Sequence, residues 1–481
     1  MSKKMTNLAA TNSFHISIYF IPMLADTVIS QLPFTPNAGQ LELIHALSAF
    51  VINRGPRDVF VLNGYAGTGK TSVVGALVKA LRETNKPVII LAPTGRAAKV
   101  AASLSDDRAS TIHKRIFRGN STDPANSTFF LAENRDANAT FIIDEASLIT
   151  DSQDFNSSLL LQLTRHVYSA PGCGMILVGD LAQLPPVGQS DSPAMNPDRL
   201  RQIGLNPITY TLALPVRQAS GSGILYNATI VRQFLFSGFD PEKFRLQTGG
   251  FPDISVVTSQ ELADMLSDSW GLVGKEETLI VTRSNKRANN FNRAIRNLVM
   301  YAEEPLQQGD RIVISKNDYY WSRVNKLKNF IANGETAEVT WVGKTEKAYG
   351  RWFVEVELQL PDVEEPVAAK IMLRSLVTEG PNIPRLEMEK FYNRVIAEYE
   401  GSITQKMKGA MEDPYFNALQ VKYAYCITCH KAQGGQWRHV YIDMGTIAPD
   451  AIGPDFYRWL YTALTRATER VFLINPGHLA E

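Results

Sequence analysis

The chain has 481 residues, 44% hydrophobic and 20% charged, roughly three domains' worth of ordinary globular sequence, which excludes a mini-protein, wholesale disorder and a low-complexity fibre. Lys and Arg number 49 against 48 Asp and Glu, so a polyanion partner has to be held by a local basic surface, not by the field of the whole molecule. Three cysteines cannot form a disulfide framework and point to a reducing, cytoplasmic setting, and no apolar run approaches the roughly 18 residues of a membrane span.

Residues 1–34 read as a poorly ordered arm or an added edge strand, because His15, Ser17 and Pro22 interrupt the apolar run from Phe14 to Ala25. From Thr35 the pattern becomes regular. A helix over 38–53 and a turn lead into the strand Asp58 to Asn63, a glycine-rich turn and a helix from Thr71 to Thr84. The stretches Val88 to Ala92, Phe141 to Ile143 and Met175 to Val178 are almost wholly apolar and alternate with helices, which implies a parallel sheet covered on both faces. One α/β domain therefore spans 35–215, interrupted at about 114–138 by a polar excursion that reads as an inserted hairpin. A second strand and helix series occupies 216–325 and 421–481, with strands at Thr278 to Thr282, Tyr423 to Thr428, Val440 to Asp443 and Val471 to Asn475 and a helix at 285–300. Alternating stretches at Gly309 to Ser315, Glu338 to Val342, Arg351 to Gln359 and Val367 to Met372 predict a small antiparallel β unit, over about 305–420, inserted into that second domain.

Gly64-Tyr65-Ala66-Gly67-Thr68-Gly69-Lys70-Thr71 fits the phosphate-loop pattern and lies between a strand and a helix. Backbone N–H groups and the helix N-terminus face phosphates in such a loop, Lys70 adds charge and Thr71 a hydroxyl ligand for Mg²⁺. Asp144 and Glu145 end a buried strand, the edge where open parallel sheets bind ligands. Asp144 suits the metal, and Glu145 suits orientation or deprotonation of a water. Asp180-Leu-Ala-Gln183-Leu-Pro-Pro-Val187 ends another strand, where Gln183 can sense a γ-phosphate or simply be an exposed turn amide. Arg217 and Arg466 can each reach a γ-phosphate from outside the phosphate-loop domain, or each can form a surface salt bridge. Cys426-Ile-Thr-Cys429-His430 has the spacing of a haem attachment site but no exported context, and no second cysteine pair to complete a zinc site, so it reads as a polar loop leaving a strand.

In this order the motifs resemble those of superfamily 1 helicases of the RecD/Dda/Pif type, over about 35–481, with Gln183-Leu-Pro-Pro-Val187 as the distinguishing third motif. The resemblance implies two RecA-like motor domains with ATP and Mg²⁺ between them, an inserted hairpin that parts the duplex, an inserted SH3-like β domain at 326–420, and 5′ to 3′ movement on single-stranded DNA. It implies that Gln40 reads adenine. Gly64, Ala66, Gly67, Thr68, Gly69, Lys70 and Thr71 hold phosphate and metal, with Gln433 and Gly434 also facing the nucleotide. Asp144, Glu145, Gln183, Arg217 and Arg466 complete the catalytic set. Pro93, Thr94, Gly95, Arg96 and His113 of the first motor, and Thr282, Thr428, His430 and Lys431 of the second, are the implied strand contacts. The implied partners are single-stranded DNA and duplex junctions, with G-quadruplexes and RNA–DNA hybrids as further candidates, no membrane, and a monomer as sufficient.

Apart from family, Arg96, Lys99, His113 and Lys114 follow one strand and Lys286, Arg287, Arg293 and Arg296 ride the helix after Thr282, so each motor offers positive charge; any one of them can equally be a solvated surface residue. Two other functions are compatible with the sequence: a strand-dependent ATPase that translocates or strips proteins without unwinding, and a nucleotide-gated DNA-binding module without productive turnover. Glu145 weighs against the module, because a switch has little use for a positioned base.

Overall fold

The computed structural model describes residues 19–105, 109–119, 129–152, 154, 158–214, 221–238, 240–327, 330–361, 363–447 and 451–481. The chain divides into two compact units. The first includes residues 19–93, Ala97–Arg118 and Phe129–Gly221; the second includes Thr94–Arg96 and Ser222–Glu481.

In the first unit the strands are β1 (Asp58–Gly64), β2 (Val88–Ala92), β3 (Ala109–Thr111), β4 (Phe117–Gly119), β5 (Phe129–Leu131), β6 (Thr140–Ile143), β7 (Gly174–Gly179) and β8 (Asn206–Leu212). Six of them form one sheet in the order β3-β2-β6-β7-β1-β8, with every pairing parallel. Alternate side chains of each central strand enter opposite cores. Phe60, Leu62, Ile142, Ile176 and Val178 pack on one face, and Val59, Val61, Phe141, Ile143, Met175 and Leu177 on the other. Burial on both faces is the reason these strands are continuously apolar. The excursion after residue 114 contains a two-stranded sheet of β4 and β5, and residues 120–128 lie outside the described residues.

Residues 19–30 differ from the expected arm or edge strand: they form a helix. Leu24, Ala25 and Val28 fall on one face at helical spacing and are buried with Leu43, Ile44 and Leu47 of the helix Ala38–Asn53.

The second unit contains β9 (Ile254–Val257), β10 (Thr278–Thr282), β11 (Arg311–Ile314), β12 (Thr336–Ala348), β13 (Arg351–Gln359), β14 (Val367–Met372), β15 (Val421–Tyr423), β16 (Cys426–Thr428), β17 (Trp437–Asp443) and β18 (Ala467–Ile474). A parallel sheet runs β16-β10-β17-β18-β9. An antiparallel sheet runs β14-β13-β12-β11-β15 around Val339, Val354, Val356, Leu358 and Ile371. The stretch read as one strand from Tyr423 to Thr428 is divided between the two sheets. Ala424 N–H donates to Arg311 O at 2.9 Å and Ile280 N–H to Tyr425 O at 3.0 Å, so the chain crosses from one ladder to the other within two residues. The region read as purely β also holds the helices Arg385–Ala397 and Ile403–Met411, which bury Phe391, Val395 and Ala410 against Phe353 and Met372.

Candidate nucleotide and nucleic-acid sites

The phosphate loop leaves the C-terminal end of β1 and enters the helix Lys70–Glu83. Gly67 and Gly69 have φ of 73° and 78°, a left-handed conformation that costs a side-chain-bearing residue roughly 1 kcal/mol or more. Gly64 is required for another reason: a Cβ there would lie 2.8 Å from Lys70 Cδ. Lys70 lies back over Gly64, and its Nζ donates to Gly179 O at the end of β7, 3.1 Å away. Thr71 is the second residue of the helix, and Thr68 is buried with its hydroxyl donating to Tyr65 O at 2.8 Å.

Asp144 and Glu145 follow β6, adjacent in the sheet to β7. Asp144 Oδ1 accepts the Glu145 N–H at 2.9 Å. Burial, then the neighbouring Glu145 carboxylate, raises the Asp144 pKa to about 6, while Lys70 and the Glu145 N–H act in the opposite sense. Glu145 has φ of 51°, strained for a non-glycine residue, and its Oε2 is buried and has no hydrogen-bond partner among the described residues. Such an oxygen costs roughly 1–3 kcal/mol or more in a folded protein, so its position is better accounted for by a ligand or water than by stability.

The loop after β7 is fixed to the same strands. Leu181 N–H donates to Asn63 Oδ1 at 3.0 Å, and Asp180 Oδ1 accepts Ala182 N–H at 2.9 Å. Asp180 and Gln183 are buried, which excludes the exposed-turn reading of Gln183. A Cβ on Gly179 would lie 2.8 Å from Met195 Sδ and 3.1 Å from Ser147 N, so the Asp144 and Asp180 loops approach through a glycine. Further along, Gln189 Nε2 donates to Asp151 O at 2.6 Å. Asn63 is a site residue that the motif reading passed over; the available signal was a buried polar side chain closing an apolar strand.

Gln40 is the third residue of its helix, closing a capping box with Asn37, and both its amide atoms are engaged. Its Oε1 accepts Asn37 N–H at 3.0 Å and its Nε2 donates to Thr68 O at 3.0 Å. Gln40 is only 1% exposed.

In the second unit, Thr428 precedes the short helix Cys429–Ala432 without a side-chain capping bond, His430 is exposed, and Gln433 is buried ahead of Gly434, whose φ is 72°. Arg466 is buried. It donates to Thr462 O at 3.1 Å, Gly435 O at 3.1 Å and Thr465 Oγ1 at 3.2 Å, and no ion pair to it is found among the described residues. This overrides the surface salt-bridge alternative. Arg217 lies outside the described residues. Thr282 is buried, with its hydroxyl on Ser284 O at 3.2 Å.

Of the first motor's implied strand contacts, Pro93 follows β2 and His113 is exposed on a short helix capped by Thr111, whose Oγ1 accepts Lys114 N–H at 3.2 Å. Thr94, Gly95 and Arg96 group with the second unit. The Arg96 guanidinium stands 3.8 Å above the Trp437 ring, and burial, followed by the nearby Arg311, pulls its pKa down to about 10. Two of the basic residues expected to offer charge to DNA are committed elsewhere. Arg287 pairs with buried Asp443, and buried Arg296 pairs with buried Asp310 at 2.9 Å. Lys286 and Arg293 of the same helix are exposed. Cys426 and Cys429 are buried thiols, and among the described residues no three His, Cys, Asp or Glu side chains could jointly hold a metal.

Residues 35–203 match the family model described as an AAA domain, and 423–474 match that of the UvrD-like helicase C-terminal domain. The chain is 26% identical over 428 residues to the ATP-dependent RecD2 DNA helicase of Deinococcus radiodurans, covering 86% of this chain and 46% of that protein. It is 27% identical over 262 residues to the ATP-dependent DNA helicase dda of Enterobacteria phage T4, covering 53% of this chain and 56% of the phage protein. The chain thus spans about half the length of these two helicases. A crystal structure of Pif1 helicase from Bacteroides with ADP-AlF3 and ssDNA aligns over 92% of each chain at 16% identity, with a TM-score of 0.47. The two matched segments carry the phosphate loop with Asp144 and Glu145, and the Thr428 loop with Arg466, and over them the chain is similar to ATP-dependent DNA helicases of the RecD2 and dda kind.

Proposed function

We propose that the chain is an ATP-driven DNA helicase that moves 5′ to 3′ along single-stranded DNA and parts duplex at a junction. The observation that carries the reading is the buried, partnerless Oε2 of Glu145 beside Asp144, in a unit whose Lys70 rests on the carbonyl that ends the adjacent strand.

The donor set fits Mg²⁺: a hard cation prefers oxygen, and Thr71 and Asp144 would supply a hydroxyl and a carboxylate. When bound it neutralises charge on the phosphates. The chain's own residues account for the other tasks. Lys70 exchanges the Gly179 carbonyl for a phosphate oxygen. Glu145 orients the attacking water and takes its proton onto the Oε2 left open. Gln183, with its loop tied to Asn63, reports the γ-phosphate, and Arg466, which has no ion pair among the described residues, supplies charge to the phosphoryl group in transfer, as does Arg217. Pro93, Thr94, Gly95, Arg96 and His113 of one motor and Thr282, Thr428, His430 and Lys431 of the other hold the strand. Exposed Lys286 and Arg293 add charge. In this reading the β4–β5 pair belongs to the hairpin that parts the duplex, and the antiparallel sheet to the SH3-like insert.

The test is hydrolysis by wild type and Glu145→Gln with saturating single strand. Equal, slow rates for the two would leave a nucleotide-gated binding module.

A further inference from the structure

Asn63 is a buried amide near the end of β1, where the alternation of the strand calls for an apolar side chain. Phe60 and Leu62 enter one core and Val59 and Val61 the other, so Asn63 faces the side of Val61, and Leu181 of the loop after β7 packs on that same core. We infer that Asn63 is a positioning residue: it is the fixed point about which the Asp180–Gln183 turn moves when Lys70 changes partner, and so it sets how strongly nucleotide and strand binding affect one another. This role rests on the nucleotide and strand sites proposed above.

Two ties flank Asp180. Asn63 lies opposite Gly179 in the β1–β7 register. The Gly179 carbonyl accepts Lys70 Nζ at 3.1 Å, and on the other side of Asp180 the Leu181 N–H donates to Asn63 Oδ1 at 3.0 Å. Between the ties and Gln183 the turn is closed on itself. Asp180 Oδ1 accepts Ala182 N–H at 2.9 Å and Asp180 O accepts Gln183 N–H at 3.2 Å, so a displacement of Asp180 is passed on to Gln183.

The two ties respond differently to nucleotide. Lys70 leaves the Gly179 carbonyl for a phosphate oxygen, whereas Asn63 carries no net charge for a phosphate to attract and belongs to a strand paired on both edges, by β7 and by β8. With Asn63 in place, release at Gly179 becomes a rotation about the Leu181 N–H and moves Gln183 in one direction. Without the acceptor, the same release leaves the turn lacking that second anchor, and phosphate binding no longer has a single outcome at Gln183. Coupling between two ligands needs an element with two discrete arrangements that both ligands bias, and the anchored turn is such an element.

The experiment uses the full chain as wild type and three variants. Asn63→Leu removes the acceptor and keeps the side-chain size, Asn63→Ala removes it without forcing an apolar group into the site, and Asn63→Asp keeps an acceptor for Leu181 N–H. Cooperative melting identifies the folded variants. Affinity for a fluorescent single strand is measured without nucleotide and with a non-hydrolysable ATP analogue at a concentration that saturates each variant. The ratio of the two affinities is the coupling factor, and a change that merely weakens nucleotide binding does not alter it at saturation. Coupling factors are commonly about 5 to 150; the expected result is a wild-type value in this range, values within about twofold of unity for Asn63→Leu and Asn63→Ala, and the wild-type value kept in Asn63→Asp. An unaltered factor in Asn63→Leu and Asn63→Ala would overturn the inference, as would an equal loss in Asn63→Asp or a wild-type factor of unity. Failure of wild type to bind the analogue or the strand would instead remove the proposed nucleotide or strand site itself.

Discussion

Lys70 Nζ donates to the Gly179 carbonyl, 3.1 Å away, so the phosphate-binding lysine is tied to the strand end that opens the Asp180–Gln183 loop. The same charge that a phosphate would recruit now holds β7, and occupancy of the loop is coupled through one hydrogen bond to the segment carrying Gln183.

Lys70→Ala should abolish turnover and leave the fold intact. The lost bond is partly solvent-accessible and contributes about 0.5–1.5 kcal/mol, too little to unfold a unit with two cores. ATP hydrolysis and thermal melting of the same sample check both parts; a variant hydrolysing at the wild-type rate would place the ATP site elsewhere.

Glu145→Gln should lower kcat by about 10² to 10⁴ while ATP still binds. Because Oε2 has no partner to lose, stability should hold or rise slightly. Equilibrium ATP binding alongside single-turnover hydrolysis separates the two effects.

Arg466→Ala should cost about 10³-fold or more in kcat. It should also loosen the Gly435 and Thr462 carbonyls that the guanidinium now binds. Arg466→Lys keeps a charge but not the planar fork, so it should restore stability more than rate, as read from melting curves and steady-state hydrolysis.

Arg296→Met should destabilise by roughly 3–5 kcal/mol, because Asp310 would remain buried and unpaired. Urea unfolding measures this. Equal stability would return Arg296 to the surface-charge role that its sequence context suggests.

Asp318 provides a pH signature. Burial raises its pKa to about 6, against hydrogen bonds from the Ser322 N–H and the neighbouring backbone. The folded state therefore keeps this proton to higher pH than the unfolded chain does, and stability falls as pH rises from about 4 to 6. Asp318→Asn should melt above wild type at pH 7 and level with it near pH 4; parallel curves at both values would contradict the assignment.

Much of this was legible where one physical rule dominates. The strands at Val88–Ala92, Thr278–Thr282, Arg351–Gln359 and Val367–Met372 follow from apolar continuity or alternation, and the phosphate loop from its glycines. β8 was missed because its edge position leaves Asn206-Pro-Ile-Thr-Tyr-Thr largely exposed, without the apolar run of the inner strands. The helices at 385–397 and 403–411 were missed inside a stretch dominated by β alternation. Charge alone did not separate exposed Lys286 from Arg296, since pairing with Asp310 depends on a contact that only the fold brings about.

The most direct test of the motor is ATP hydrolysis with and without single-stranded DNA, run on duplexes tailed only at the 5′ or only at the 3′ end so that unwinding is read in the same sample. Strong stimulation with unwinding from the 5′ tail is the predicted result. Stimulation without unwinding from either tail would leave a translocase or remodeller, and no stimulation by DNA would contradict the account.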